Sequence, residues 1–442
     1  MTHLPDVSLL AASPWWRPNP GTSLVIDGGH RLTGTYPISG AKNAVLPLMV
    51  SALVTPHLVT LHNVPASLDV AVLANLLQRL GVVLNWSSGR TLSLTMCADH
   101  VHPARIDREL VGRMRASVLL LGAVLARCGE ACLPMPGGDA IGLRGIDFHV
   151  AGLRAMGASV EIEGGMIQAR ARDGLKGAEI VLPQPSVGAT ENLMLAAVLA
   201  TGVTVIRNAA REPEIGDLAA CLIAMGARIE GVDGSVLIIH GGLPLTGAVH
   251  TVMPDRIELG TMACAAAVTD GELLLEHGHS ALLGGAEPLL QAAGVVLEDT
   301  PGGLLARRGI AGLRGIDVET QPFPGFATDL QAPVMAMLAT AKGVSHITET
   351  IFERRFRHAD ELVRQGADIT VEGRVARIVG VERLSGARVT ATDVRAAAAL
   401  VLSGLGAAGE TVLDGLDHLD RGYDRMAEKL EACGARIIRS VV

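Results

Sequence analysis

Apolar residues fall into a pattern that recurs six times along the chain. A run at helical spacing ends in a glycine, and a short run with strand-like alternation follows. The copies are Leu76–Leu84, Leu153–Ile162, Leu222–Ile229, Leu289–Leu297, Leu362–Ile369 and Leu430–Ile438. Their central glycines are Gly81, Gly157, Gly226, Gly294, Gly366 and Gly434. A glycine at that place suits the turn that closes a helix. The period is about 70 residues, above the roughly 20–50 of common solenoid repeats.

A second marker falls between the copies: Leu-x-Gly, then a strand, a polar turn and an alanine-rich helix. It stands at Leu32–Gly34, Leu175–Gly177, Leu245–Gly247, Leu313–Gly315 and Leu384–Gly386, and the second repeat lacks it. Each repeat thus reads as strand, helix, strand, helix, strand, strand. Six such units predict an α/β (α+β) chain in two groups of three.

Composition narrows the picture. Apolar residues make up 49% of the 442 and aromatics only 2%, so the core must be aliphatic. Two domains are expected at this length. The formal charge of −8 argues against a general nucleic-acid binder. Six cysteines, at 97, 128, 132, 221, 264 and 433, lack paired zinc spacing and read as free thiols of a reducing cytoplasm. No signal peptide or membrane span is expected, since apolar stretches such as Val118–Ala126 are short. Residues 1–20, with Trp15, Trp16 and several prolines, read as an extension outside the folded unit.

Candidate chemistry starts with the stretch Leu133–Val150, too rich in glycine and proline for a helix or central strand. Gly137, Gly138 and Gly142 permit a tight loop that carries Asp139 and Arg144. A solvated surface turn is the plain alternative. Polar residues also cluster where the alanine-rich helices begin: Lys42 and Asn43, Ser186 to Asn192, Asp255 to Glu258, Thr328 and Asp329, Thr392 to Arg395. Helix starts suit anions, and Lys42, Arg395 and Arg421 would add fixed positive charge for a phosphorylated substrate. Asp255 and Thr392 read better as ordinary helix caps.

Taken together, Ser39-Gly40-Ala41-Lys42-Asn43, Met114-Arg115-Ala116-Ser117, Pro136-Gly137-Gly138, Ser186-Val187-Gly188-Ala189-Thr190, Pro254-Asp255-Arg256-Ile257-Glu258, Thr328-Asp329-Leu330-Gln331 and Asp420-Arg421-Gly422-Tyr423 form a recognisable series. The chain resembles the UDP-N-acetylglucosamine 1-carboxyvinyltransferase family of enolpyruvyl transferases, with 5-enolpyruvylshikimate-3-phosphate synthase as a more distant relative. The resemblance runs from about residue 22 to the C-terminus. It implies an inside-out α/β barrel fold of two domains, each with three repeats of βαβαββ type. Residues 21–41 plus 254–442 would form one domain. Residues 42–253 would form the other, carry a mobile 133–150 loop, and share with the first a cleft for the reaction.

The implied reaction adds a sugar 3′-hydroxyl of UDP-N-acetylglucosamine to C2 of phosphoenolpyruvate, protonates C3, then expels phosphate and a C3 proton. It needs anion clamps, an acid and a base, and neither metal nor cofactor. The resemblance gives catalytic roles to Lys42, Asp139, Asp329 and Arg421, with Asp329 as general base. It assigns substrate contacts to Lys42, Asn43, Arg115, Arg144, Asp329, Asp393, Arg395 and Arg421. Gly145, Ile146, Asp147 and Phe148 would meet the uridine beside Arg144; Gln184, Pro185, Ser186, Val187 and Ile351 would meet the nucleotide-sugar. Arg355 joins the anion site or, alternatively, forms an inter-domain ion pair; Asp329 is alternatively a helix cap.

Three positions depart from the usual family pattern. Asp139 stands where cysteine is most common; a carboxylic acid can transfer a proton but is no thiolate nucleophile. Gly145 and Gln184 replace the more usual proline and lysine. The acceptor could then be another uridine nucleotide, such as uridine monophosphate, and a non-catalytic nucleotide-sugar-binding paralogue is a further alternative. The retained Lys42, Arg115, Arg144, Asp329, Asp393, Arg395 and Arg421 weigh against the latter.

Overall fold

Strand pairing in the computed structural model follows the two glycine markers. The structure describes residues 22–441 except 104, 105 and 107; the expected extension over 1–20 lies outside the described residues. The six central glycines all have positive φ, from 92° at Gly157 to 103° at Gly226. Each follows a helix and precedes a strand, in the conformation that glycine adopts without a Cβ penalty.

Five sheets have four strands and one has three. In each four-stranded sheet one edge strand runs parallel to its neighbour and the other pairs are antiparallel. Those parallel strands are Thr33–Pro37, Glu179–Val181, Ala248–Thr251, Asp317–Glu319 and Arg388–Thr390, each at or just after a Leu-x-Gly marker. The marker glycine has a steric reason. A Cβ at Gly177, Gly247, Gly315 or Gly386 would stand 2.1–2.4 Å from a carbonyl oxygen of the adjoining segment. The repeat without a marker forms the sheet Glu130–Pro134, Met166–Arg170 and Ser159–Glu163, which among the described residues has three strands, all antiparallel.

The contacts divide the described chain into two units of three sheets each. One holds 40–139 and 144–253; the other holds 22–39, 140–143 and 254–441. In the first, the last strand, Ala248–Thr251, completes the sheet begun by Val59–Val64. In the second, Thr22–Asp27 lies between Glu410–Asp414 and Arg436–Val441. The loop tip 140–143 departs from the expected 42–253 block. Its backbone bonds within the second unit: Arg354 N–H donates to the Ile141 carbonyl at 3.0 Å, and Leu143 N–H to Glu353 Oε2 at 3.2 Å.

Helices fill both cores. Lys42–Ser51, Leu119–Cys128 and Val187–Ala197 serve the first unit; Arg256–Val268, Gln331–Leu338 and Val394–Gly406 serve the second. Every residue from Val394 to Leu405 is buried, as is every residue from Arg256 to Ala267. Helices buried all round must approach one another through small side chains. At Gly122 the approach is close enough that a Cβ would meet the Asn192 carbonyl at 2.5 Å, and Gly122 N–H donates to Asn192 Oδ1 at 2.9 Å. The sheets alternate buried and exposed residues and cover these helices on the outside. This is an inside-out α/β fold. Among the described residues no helix is long and apolar enough to cross a membrane.

The chain leaves the second unit at Ser39, three residues before Lys42, and the exit is pinned. Ser39 N–H donates to Glu258 Oε2 at 2.8 Å, and its hydroxyl accepts from Lys429. Glu258, itself buried, also accepts from Lys429 at 3.0 Å and from the Tyr36 hydroxyl at 2.9 Å.

Candidate active site

In the second unit the helix starts converge on Asp329. This residue sits in the short turn Thr328–Leu330 that leads into the buried helix Gln331–Leu338. It does not cap that helix; the turn begins at Ala327 with no side-chain cap bond. Its carboxylate is gripped instead. Arg355 Nη2 donates to Oδ1 at 2.6 Å, while Arg395 donates to Oδ2 through Nη2 at 2.7 Å and Nε at 3.1 Å. Both arginines are buried, and the Asp329 side chain keeps 25% of its surface exposed. Arg355 therefore has an ion-pair partner within its own unit. Burial pushes the Asp329 carboxyl up, but the Arg395 and Arg355 charges outweigh it and hold the group well below the usual carboxylate range. Arg395 is desolvated too, yet Asp329 raises its pKa above that of an ordinary guanidinium.

Helix capping explains how Arg395 is aimed. Asp393, not the expected Thr392, caps Val394–Gly406 by accepting from the Arg395 and Ala396 N–H groups, each at 3.0 Å. The Thr392 hydroxyl donates to Asp393 at 3.2 Å. Asp255 caps Arg256–Val268 as expected. The Arg395 guanidinium lies 5.4 Å from the Tyr423 ring centre, and Arg355 lies 5.3 Å from that of Phe352. Arg421 occupies the last turn of Leu416–Gly422. A Cβ on the adjacent Gly422 would fall 2.1 Å from Val394 and 3.8 Å from Arg395 Nη1. Only glycine lets the end of this helix lie against the start of the next.

The first unit gathers a second set. Arg115 opens the turn Arg115–Val118 before the buried helix Leu119–Cys128, and its guanidinium donates to the Gly145 carbonyl. Gly138, at φ 117°, passes so close that a Cβ would stand 3.1 Å from Arg115 Cβ and 3.4 Å from Arg144 Nη1. Asp139 follows it directly and is half-buried. Burial, helped by the like charge of Arg144, brings the Arg115 pKa down to about 10, and Asp147 offsets part of this. Ile146 is buried at the start of helix Asp147–Ala155; Phe148 packs half-buried on the core. His149, also buried, has its Nδ1 3.1 Å from Asn192 Nδ2. Burial and the Arg115 charge push its pKa down to about 3. Pro185, Ser186 and Val187 are half-buried, and Ser186 Oγ accepts from Ala189 N–H at 3.4 Å as the cap of Val187–Ala197. Gln184 is exposed.

Lys42 is the first residue of its helix, and its ammonium lies 2.9 Å from Asp69 Oδ2. Asn43 follows, half-buried. Asp69, 2% exposed, carried no signal in the sequence beyond a place in an apolar helix. Glu349, which organises the turn holding Ile351, was equally silent. Tyr423 and Thr328 stood within the quoted motifs and could have been named. Each set supplies fixed cations and carboxylates at helix starts, which suits anion binding. Among the described residues no group of three or more His, Cys, Asp or Glu is placed to hold a metal ion, and the six cysteines are free.

Comparison with known proteins agrees in kind. The family model for EPSP synthase (3-phosphoshikimate 1-carboxyvinyltransferase) matches residues 26–430. The UDP-N-acetylglucosamine 1-carboxyvinyltransferase of Rhodospirillum centenum is 53% identical over 426 residues, covering 94% of this chain and 98% of its own. That of Granulibacter bethesdensis is 51% identical over 416 residues, with the same coverage of both chains. Among solved structures, the enolpyruvyl transferase NikO from Streptomyces tendae matches with a TM-score of 0.85 at 27% identity, covering 95% of this chain and 99% of its own. An EPSP synthase from Acinetobacter baumannii matches with a TM-score of 0.73 at 19% identity, over 95% of this chain and 100% of its own, a likeness of fold alone.

Proposed function

The chain belongs to the UDP-N-acetylglucosamine 1-carboxyvinyltransferase family of enolpyruvyl transferases, and from that premise we infer that it transfers the enolpyruvyl group of phosphoenolpyruvate to the 3′-hydroxyl of UDP-N-acetylglucosamine, releasing phosphate. This is the first committed step of peptidoglycan precursor synthesis. The observation that carries the reading is the shared sequence over nearly the whole of both chains, at about half of all positions.

The roles are those that the family resemblance implies, and the chemistry of each group suits them. Lys42, Arg115, Arg144, Arg395 and Arg421 bind the carboxylate and phosphate of phosphoenolpyruvate and the diphosphate of the acceptor. Asp139 protonates C3 and Asp329 takes the proton of the 3′-hydroxyl. A carboxylate held so far below its usual range is a weak base. It gains strength when the substrate's own anions compete for the Arg395 and Arg355 charges. Asp393 orients Arg395 through the helix cap, and Asn43, Arg355 and Ile351 complete the contacts. Gly145 to Phe148 with Gln184 to Val187 receive the uridine and its phosphates. The free thiols support a reducing, cytoplasmic setting.

A second reading rests on Gly145 and Gln184, both exposed and both unlike the usual family residues. Another uridine nucleotide would then be the acceptor. Phosphate release from phosphoenolpyruvate tests both. Turnover with UDP-N-acetylglucosamine and none with uridine monophosphate is the expected result. The reverse pattern would establish the second reading, and no turnover with either would mark a non-catalytic paralogue.

A further inference from the structure

Glu349 is 1% exposed and lies outside the set of residues assigned to substrate. Its carboxylate nonetheless accepts four hydrogen bonds from three segments of the second unit. Oε1 accepts from the Thr320 hydroxyl at 3.0 Å, from Ile351 N–H at 2.8 Å and from Phe352 N–H at 3.0 Å. Oε2 accepts from the Thr328 hydroxyl at 2.8 Å. Thr328 in turn accepts from Arg355 Nη1 at 2.8 Å, and Arg355 Nη2 donates to Asp329 at 2.6 Å.

The direction of each bond is fixed by chemistry. A guanidinium has only donors, so the Thr328 oxygen must accept from Arg355. Its single hydrogen then has to point at Glu349, whose oxygen must be an acceptor. Thr320 repeats the pattern: its oxygen accepts from Thr350 N–H at 2.9 Å, which leaves its hydrogen for Glu349. Phe352, set by Glu349, is also the ring against which Arg355 packs. Two independent arms thus run from one buried carboxylate to the same guanidinium.

We propose that Glu349 is a positioning residue: through Thr328 and the 351–352 turn it aims Arg355, and with it the carboxylate of Asp329, at the reacting group. The proposal rests on the reading of Asp329 as the base. A glutamine at this position keeps the volume but offers one acceptor oxygen in place of two. Facing Thr328 with its amide, it would present a donor to a hydroxyl that already receives one.

The test combines Glu349→Gln, Thr328→Val, their double variant and Thr328→Ser in the full chain. Both single variants are expected to lower kcat about 10- to 100-fold, the scale of a misplaced catalytic group, with a smaller rise in KM because Arg355 and Ile351 also contact substrate. Because both act on one relay, the double variant should be no worse than the poorer single one. Thr328→Ser, which keeps the hydroxyl, should restore kcat. The Arg355 side-chain 15N resonances give a readout that needs no substrate. Rotation of the guanidinium should be slow in the wild type and in Thr328→Ser, and fast in Thr328→Val. Losses that multiply in the double variant, wild-type kcat in a folded Thr328→Val, or unchanged guanidinium rotation would each overturn the proposal. Absence of turnover in the wild type, with the resonance pattern as expected, would sink the functional reading and leave the relay standing.

Discussion

Arg395 holds Asp329 through two nitrogens on one carboxylate oxygen, Nη2 at 2.7 Å and Nε at 3.1 Å. With Arg355 on the other oxygen, a single carboxylate offsets two buried cations. Removing its charge takes from both their directly bonded counter-charge. Asp329→Asn should therefore abolish turnover and cost about 3 kcal/mol of stability, as breaking buried pairs does. The folded pKa of Asp329 is depressed, so its contribution is fully present above the unfolded value of about 3.9 and is lost as pH falls through the folded value. Urea denaturation should show a constant gap between wild type and variant above about pH 4, closing in stronger acid. A gap that opened on acidification would contradict the geometry.

Lys42 and Asp69 make a comparable pair at the opening of the first core helix. The ammonium is 15% exposed and the carboxylate 3%, so little water is available to replace a lost partner. Asp69→Ala should lower kcat/KM for phosphoenolpyruvate at least as much as Lys42→Ala raises KM, since it releases the ammonium from its place. The accompanying loss of stability should be about 2–3 kcal/mol, read from the urea midpoint. Full activity in Asp69→Ala would show that Lys42 is positioned by its other contacts.

Much of this architecture was legible because it follows from local chemistry. The six helix-closing glycines need positive φ, and four of the five Leu-x-Gly glycines need room for a neighbouring carbonyl. Lys42, Asp393 and Arg395 could be found because they sit where buried helices begin. Asp69 and Glu349 could not. Asp69 lies within an apolar helix and Glu349 in a polar stretch that matches no motif, and the role of each comes from partners distant in sequence: Lys42 for one, Thr320 and Thr328 for the other. Arg355 shows the same limit. Its identity was readable, but its ion pair with Asp329 joins residues 26 positions apart and appears only in the packed structure.

His149 offers a pH test free of substrate. In the folded protein it stays neutral down to about pH 3, whereas the unfolded chain takes up the proton near pH 6.5. Its folded pKa lies below the unfolded one. The folded state is therefore disfavoured progressively as pH drops from 6.5 toward 3. His149→Gln removes the titration and can keep the bond to Asn192. Relative to this variant, the wild type should lose about 2 kcal/mol between pH 7 and pH 5. Parallel stability curves for the two proteins over that interval would show that His149 is protonated without penalty in the fold.

Asp139 bears on inhibition by fosfomycin, an epoxide that alkylates the cysteine found here in many family members. Opening an epoxide under mild conditions calls for a soft, polarisable nucleophile, and a carboxylate oxygen is a poor one. The surroundings, by contrast, suit such a reaction. Gly138 brings the backbone beside Arg115 and Arg144, whose charges would lower a thiol's pKa and favour thiolate. The wild type should therefore show no mass adduct after incubation with fosfomycin and phosphoenolpyruvate or UDP-N-acetylglucosamine. Asp139→Cys should acquire one adduct and lose activity in step with it. Peptide mapping separates the new site from the six native cysteines. An adduct on Asp139 itself would show that the carboxylate is nucleophilic enough. An active Asp139→Cys variant that resists labelling would show that the neighbouring arginines do not activate this position.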